Sequence, residues 1–226
     1  MVPPAGFEPA HPPSEGGALS PELRGLSPWG SAGEGEGYQR VVLCSQSRKN
    51  TRMAETAYFA TGCFWGAQRR FWQLAGVGDT AVGYMGGVRP DPTYEQVCTG
   101  VTGHAETVRV SYDRDQISYE RLLEEFWTMH DPTTLNSQGN DVGSQYRSAI
   151  FTTAPDQLAT ALASREFYQS AISAAGYGEI VTDIAPADGH TFWLAEEYHQ
   201  EYLAKNPNGY DCHSSTGVAY PKVSHE

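Results

Sequence analysis

Cysteine is scarce in this chain. Its 226 residues include four cysteines, which are widely spaced and form no Cys-x-x-Cys pair. Disulfide-stabilised small folds and structural zinc sites need a denser or more closely paired set. We therefore expect free thiols, a reducing compartment and a cytoplasmic protein. His104, His130 and His199 lack the close ligand spacing of a metal centre, so we predict no bound metal.

Basic side chains and long apolar runs are also lacking. Lys and Arg number 15 against 27 Asp and Glu, which gives a formal net charge of −12. This balance argues against nucleic acid as a partner, because phosphate binding needs clustered positive charge. No run of about 18 apolar residues occurs, so we predict no membrane-spanning helix.

The first 52 residues lack apolar periodicity. They hold seven of the 14 prolines and eight of the 24 glycines, and their charges balance. We predict either a disordered N-terminal extension over residues 1–52 or a true start at Met53, and we favour the second interpretation. Residues 53–226 are then one domain, with a mobile C-terminal tail from about residue 206.

Strand and helix patterns alternate after residue 53, which indicates a single domain of mixed class. Ser118 is placed to cap one helix, and Thr153 has the spacing of a capping box for another. The predicted strands are 57–60, 108–112, 148–152 and 180–184, and the predicted helices begin at 64, 119, 155 and 192, the last running to Lys205.

The segment Gly62-Cys63-Phe64-Trp65-Gly66 joins the first strand to the first helix. A thiol on the first helical turn faces unpaired N–H groups and the positive end of the helix dipole, which favours the thiolate and lowers the pKa. The flanking glycines let the backbone approach a substrate, and the two aromatic rings form an apolar wall. The alternative is a buried, inert cysteine in an apolar corner.

Eight further short segments, taken with Gly62–Gly66, match the motifs of one protein family and occur in the same order along the chain. The family-like segments are Gly62–Gly66, Gly83–Gly87, Pro92–Cys98, Thr102–Glu106, His130–Pro132, Gln138–Asp141, Gln145–Ala149, Glu196–Gln200 and Asn208–His213. Together they resemble the A-type peptide methionine sulfoxide reductases, from about Ala57 to about His213. The resemblance implies an α+β fold, a two-layer sandwich with a ferredoxin-like core and a long irregular C-terminal tail.

The resemblance also implies a reaction. The enzyme would reduce the S epimer of methionine sulfoxide, free or in oxidised proteins, to methionine. Cys63 is the candidate nucleophile and would become a sulfenic acid. Phe64 and Trp65, with Gly62, are the candidates that enclose the substrate methyl group.

Four polar side chains are candidates for handling the sulfoxide oxygen. Glu106 lies in a weakly charged stretch, where a partly apolar pocket favours its neutral form and makes it a proton donor. Tyr94 and Tyr146 are phenols that can donate hydrogen bonds to a developing oxyanion. Asp141 is a fourth member of this cluster, or it serves only its Gly/Asn turn.

Cys212 is the candidate resolving cysteine, because the family uses a C-terminal cysteine to attack the sulfenic acid. The resulting Cys63–Cys212 disulfide would be reduced by thioredoxin or a similar thiol reductant, without a bound cofactor. Cys98 follows an apparent strand and is expected to be buried, although it remains an alternative resolving thiol. Cys44 has no argued role.

Two other functions remain open at this point. A cysteine hydrolase or amidase would pair Cys63 with a histidine base, for which His104 and His190 are available. A non-catalytic redox sensor would need Cys63 and Cys212 but neither the aromatic pair nor Glu106. We expect a monomer.

Overall fold

The computed structural model describes residues 54–212 and 214–222, and the extension predicted for residues 1–52 lies outside them. The described residues all belong to one compact unit. No helix in these ranges combines the length and the apolar character needed to cross a membrane.

Strands and helices alternate along the described chain, as the sequence pattern predicts. A 3-10 turn at Ser144–Tyr146 precedes the sixth strand. The strands are β1 Glu55–Thr61, β2 Val77–Met85, β3 Ala105–Tyr112, β4 Ser137–Gln138, β5 Asp141–Val142, β6 Ser148–Thr152, β7 Asp183–Pro186 and β8 Trp193–Leu194. The helices are α1 Phe64–Trp72, α2 Tyr94–Cys98, α3 Tyr119–Met129, α4 Pro155–Ala174 and α5 Tyr202–Lys205.

Six of the strands form one mixed sheet in the order β7-β6-β1-β3-β2-β8. β1 pairs antiparallel with both β3 and β6, and β2 pairs antiparallel with β3. β7 runs parallel to β6 at one edge, and the short β8 closes the other edge against β2. β4 and β5 form a separate hairpin. A mixed sheet with helices confirms the α+β class.

Alternation along β1 divides the interior into two clusters. Phe59 is fully buried and faces the larger cluster, where its ring lies 4.9 Å from Phe71 of α1 and 5.5 Å from Phe126 of α3. Tyr58 points to the opposite face, where Phe192 packs on it at 5.4 Å. Each buried ring contributes about 2–3 kcal/mol by removing apolar surface from water, so β1 is fixed from both sides.

The helix predicted over Phe192–Lys205 is wrong, because the edge of the sheet captures this segment. Trp193 and Leu194 pair with β2 as β8, and the Gln200 side chain bonds both the N–H and the carbonyl of Val82. Glu201 then takes a left-handed φ of 50°, so helical conformation is confined to α5. Tertiary hydrogen bonds here outweigh a helix propensity that is weak per residue.

The two predicted helix caps differ in outcome. The Ser118 hydroxyl accepts the N–H of Arg121 and caps α3, which confirms that prediction. Thr153 does not cap α4, because its hydroxyl donates to the carbonyl of Thr56 on β1. Ala154 is the N-cap residue of α4 and supplies no side-chain hydrogen bond, and Pro155 occupies the first helical position.

The C-terminal tail is irregular and runs across the helical layer. Tyr168 of α4 donates a hydrogen bond to the carbonyl of Val218 at 2.8 Å and stacks on Tyr220 at 5.5 Å. Further upstream, the thiol of Cys212 contacts the carbonyl of Gln138 at 3.5 Å. Mobility of this tail stays a prediction.

Candidate active site

Cys63 lies at the junction of β1 and α1, where it is the N-cap residue of the helix and only 8% exposed. Gly62 precedes it with a φ of 96°, a conformation that residues with a Cβ atom rarely adopt. A Cβ at Gly62 would lie 2.7 Å from the Gln138 side chain. Gly62 therefore allows the β4–β5 hairpin to pack closely against the backbone beside Cys63.

Glu106 lies on β3, the strand next to β1, and its side chain is buried beside the thiol. Its Oε2 accepts the N–H of Phe64 at 3.0 Å. Burial raises the pKa of Glu106 from an ordinary 4.5 to about 8, and the charge of Asp141 adds to the rise. The prediction that its neutral form is favoured is confirmed, so this carboxyl carries a proton near neutral pH.

The expected depression of the Cys63 pKa is wrong for this resting site. Burial raises the pKa of the thiol well above its ordinary value, and a negative charge on Glu106 raises it further. The N–H of Trp65 bonds the sulfur and opposes the rise, but it is a smaller effect than burial. A helix N-terminus favours a thiolate, but burial removes water from the thiolate charge and disfavours it. At Cys63 burial has the larger effect.

The aromatic wall beside Cys63 is held by the segment that β8 leads into. Trp65 donates its indole N–H to Nδ1 of His199 at 3.1 Å and stacks on Tyr202 at 3.9 Å. The Phe64 ring meets the His199 ring edge-on at 5.1 Å. His199 and Tyr202 therefore fix the orientation of both predicted pocket residues.

The candidate phenols lie near Glu106. Tyr94 opens α2, and its N–H donates to Oε1 of Glu196 at 2.8 Å. The other oxygen of Glu196 accepts the hydroxyl of Tyr84 at 2.8 Å. Burial and the charge of Glu106 raise the pKa of both Tyr94 and Tyr146. Both phenols are therefore protonated donors near neutral pH.

Cys212 approaches the site through the β4–β5 hairpin. Its thiol donates to the carbonyl of Gln138, whose side chain packs on Gly62. Asp141 lies at this point: its Oδ1 accepts the hydroxyl of Tyr210 at 3.1 Å. Burial and Asp141 raise the pKa of Cys212 to about 11. The structure thus brings the tail thiol into the neighbourhood of Cys63.

Cys98 is exposed, not buried as expected, because it is the last residue of the short helix α2. The Tyr94 hydroxyl one turn earlier bonds its thiol. Cys44 lies outside the described residues.

The histidines considered as bases are occupied elsewhere. Nδ1 of His104 accepts the N–H of Gly87 at 3.0 Å, and Nε2 donates to the carbonyl of Arg89 at 2.7 Å. His190 packs on Phe151 at 5.6 Å, in the cluster on the opposite face of the sheet. Neither is available to Cys63. Within 54–212 and 214–222, no three His, Cys, Asp or Glu side chains gather as metal ligands would.

Three residues of this site were not predicted from the sequence: Glu196, His199 and Tyr202. Glu196 and His199 lie in the family-like segment Glu196–Gln200, and His199 was weighed only as a metal ligand. The family-like pattern therefore pointed to this segment. A long helix was predicted there, however, and it does not show that these residues contact α1 and α2.

Two thiols that approach each other beside a proton-bearing carboxyl suit oxidation and reduction at sulfur, and neither His104 nor His190 is placed as the base of a hydrolase. The fold and site together define a thiol-dependent oxidoreductase. The family model described as peptide methionine sulfoxide reductase matches residues 55–226. The chain belongs to that family, and it is an oxidoreductase that returns methionine sulfoxide to methionine.

Individual relatives agree over most of the chain. A peptide methionine sulfoxide reductase from Synechocystis is 58% identical over 167 residues, which cover 74% of this chain and 74% of the relative. One from Streptomyces griseus is 56% identical and covers 74% and 75%. Methionine sulfoxide reductase A of Corynebacterium diphtheriae is a structural neighbour with a TM-score of 0.69 and 45% identity, covering 76% of this chain and 85% of the neighbour.

Proposed function

We propose that this chain reduces the S epimer of methionine sulfoxide, free or within oxidised proteins, and so repairs those proteins. The observation that carries the proposal is the contact of Glu106 Oε2 with the Phe64 N–H, directly beside Cys63. A carboxyl with a pKa of about 8 next to a buried thiol can supply the proton that the sulfoxide oxygen needs as it gains charge.

In the first half of the reaction, the Cys63 sulfur attacks the sulfoxide sulfur and Glu106 protonates the oxygen. The protonated oxygen then passes from the substrate sulfur to the Cys63 sulfur as the new sulfur–sulfur bond breaks. Methionine departs with the electron pair of that bond, and Cys63 is left as a sulfenic acid. The thiol proton of Cys63 returns to Glu106. Because charge on Glu106 raises the pKa of Cys63, the state in which both groups are ionised is disfavoured.

The substrate methyl group would lie against Phe64 and Trp65. Both rings are almost fully buried, and His199 holds the Trp65 indole in one orientation. A fixed apolar wall orients the sulfoxide so that its oxygen faces Glu106, and this orientation is the physical basis for preferring one epimer.

Tyr94 and Tyr146 would donate hydrogen bonds to the sulfoxide oxygen as its charge develops. Asp141 acts on this cluster through its charge, which raises the pKa of Glu106 and so retains the proton there. A negative charge on Glu106 also raises the pKa of both phenols, which supports one electrostatic cluster of all four groups.

In the second half, Cys212 would attack the sulfenic acid and form a disulfide with Cys63. Thioredoxin or a similar thiol protein is the expected reductant of that disulfide, and no bound cofactor is needed. The half-buried thiol at Gln138 and the irregular tail around it support this assignment.

We also propose that the sheet and helices form a ferredoxin-like core. The strands β6-β1-β3-β2 follow a β-α-β-β-α-β order of elements, which supports a ferredoxin-like core. We further expect a cytoplasmic monomer with no nucleic-acid partner.

A single-turnover experiment tests the function. The reduced protein is mixed with a peptide that carries one epimer of methionine sulfoxide, without added reductant, and methionine is quantified. The S epimer should give about one equivalent per protein, the R epimer almost none, and the Cys63→Ser control none from either. Equal yields from both epimers would contradict the stereochemical assignment, and no methionine from either would contradict the function.

A further inference from the structure

We infer that Asp141 is the general base that activates the Cys212 thiol, and that Tyr210 is the positioning residue that holds it. The inference rests on the proposed function and concerns its second half. It gives Asp141 a task that the sequence resemblance does not imply.

The two oxygens of Asp141 have different surroundings. Oδ1 accepts the Tyr210 hydroxyl at 3.1 Å. Oδ2 is buried and has no hydrogen-bond partner among the described residues. A buried acceptor without a partner is costly, so its retention at this position needs a reason. One oxygen is thus fixed, and the other is open to receive a proton.

The Cys212 thiol lies beside that carboxyl. Asp141 and Tyr210 are both within hydrogen-bonding reach of its sulfur, in addition to the Gln138 carbonyl at 3.5 Å. Gln138 pairs with Asp141 across the β4–β5 hairpin, and its side chain packs on Gly62. One hairpin therefore fixes the base, the attacking thiol and the residue that precedes Cys63.

The step balances with these groups alone. Oδ2 of Asp141 takes the thiol proton of Cys212 as its sulfur bonds to the Cys63 sulfur. The Cys63 sulfur–oxygen bond breaks, and the leaving hydroxide recovers the proton as water. The sulfenic sulfur is reduced by one electron and the thiol sulfur is oxidised by one, which gives the disulfide.

A base is needed because the thiol is protonated at rest. Burial and the Asp141 carboxylate hold the pKa of Cys212 at about 11, so spontaneous thiolate is scarce near neutral pH. At rest the thiol proton points to the Gln138 carbonyl, and the unpartnered Oδ2 of the neighbouring Asp141 is in place to receive it once the new bond begins to form.

The test is the rate of disulfide formation in Asp141→Asn. After one turnover, rapid quenching and mass analysis give methionine and the Cys63–Cys212 disulfide separately. If Asp141 acted only through its charge, Asn would lower the thiol pKa and speed the disulfide step. If Asp141 is the base, Asn should slow that step about 10²-fold. An unchanged or faster step would overturn the inference.

Two further variants separate proton transfer from docking of the tail. Tyr210→Phe should slow disulfide formation severalfold, because Asp141 loses its fixed partner. Asp211→Asn is the matched control: it breaks the Arg69 ion pair beside Cys212 but leaves Asp141 intact, and should cost less than about fivefold. Equal slowing in all three variants would indicate docking and would overturn the inference.

The outcome stays interpretable if a variant forms methionine slowly. Cys63 is then oxidised directly with hydrogen peroxide, and the same disulfide step is followed. A normal disulfide rate in Asp141→Asn after this treatment would overturn the base assignment. Failure of the unmodified protein to form methionine would overturn the proposed function and this inference together.

Discussion

The Cys63 side and the Cys212 side of the site are built in different ways. Cys63 and Glu106 come from regular elements, the β1–α1 junction and β3, and are 8% and 2% exposed. Cys212 comes from an irregular tail, is half-buried, and is held by a 3.5 Å sulfur contact and by the neighbouring Arg69–Asp211 ion pair. One side is fixed by the sheet, and the other by a few polar contacts.

This difference matches two chemical demands. Attack on a sulfoxide needs the nucleophile, the proton donor and the methyl pocket in one fixed geometry, which a buried sheet and helix provide. Recycling needs a thiol that meets Cys63 and is then presented to an external reductant. Segments with few buried contacts open at low free-energy cost, so the tail suits the second demand.

The largest expected effect is on the rigid side. Cys63→Ser should remove methionine formation completely, because an alcohol lacks the soft sulfur nucleophile. Methionine release with dithiothreitol as reductant is the measurement. Cys98→Ser is the matched control and should retain turnover. Any turnover by Cys63→Ser above the uncatalysed rate would contradict the assignment.

Glu106→Gln should slow the first half by about 10²–10⁴, because Gln keeps the shape but transfers no proton. In the unmodified protein, the first-half rate should fall as pH rises through about 8, where Glu106 loses its proton. Rapid-quench rates across that range check both expectations. An unchanged rate in the Gln variant would assign the proton to Tyr94, Tyr146 or water.

The phenols should contribute less. Tyr94→Phe and Tyr146→Phe each remove one hydrogen bond to a charged oxygen, which corresponds to about a tenfold loss in the first-half rate. Tyr58→Phe, on the opposite face of the sheet, is the control and should have no effect. A loss in the control equal to that in either site variant would indicate a general effect on the fold.

Glu106 should also make the free energy of unfolding depend on pH. Its folded-state pKa of about 8 exceeds its ordinary 4.5, so the folded state holds the proton more tightly than the unfolded state. Its contribution to the free energy of unfolding therefore falls as pH rises from about 4.5 to about 8, by up to a few kcal/mol. Urea unfolding should show a smaller fall for Glu106→Gln. Parallel curves would contradict the raised pKa.

Features of the fold that depend on local sequence pattern could be predicted from the sequence. The β1–Cys63–α1 junction, the strand Ser148–Thr152 and the Ser118 cap follow from apolar spacing and cap chemistry. These features are set by neighbours in the chain, which a sequence displays directly.

Features set by distant contacts were out of reach. The Gln200 bonds to Val82 and the Trp65–His199 hydrogen bond join residues more than a hundred positions apart. The Cys63 pKa was misjudged for the same reason, since its burial comes from residues far away in sequence. The exposure of Cys98 depends on where the short helix α2 ends.

The comparison between the two sides is tested most directly by Cys212→Ser in a single turnover. We expect that the first equivalent of methionine forms at the unmodified rate and that Cys63 stays oxidised as a sulfenic acid. Turnover with thioredoxin should collapse, and a small thiol should partly restore it. Full thioredoxin-driven turnover, a Cys63–Cys98 disulfide, or loss of the first equivalent of methionine would contradict the division of labour between the two sides.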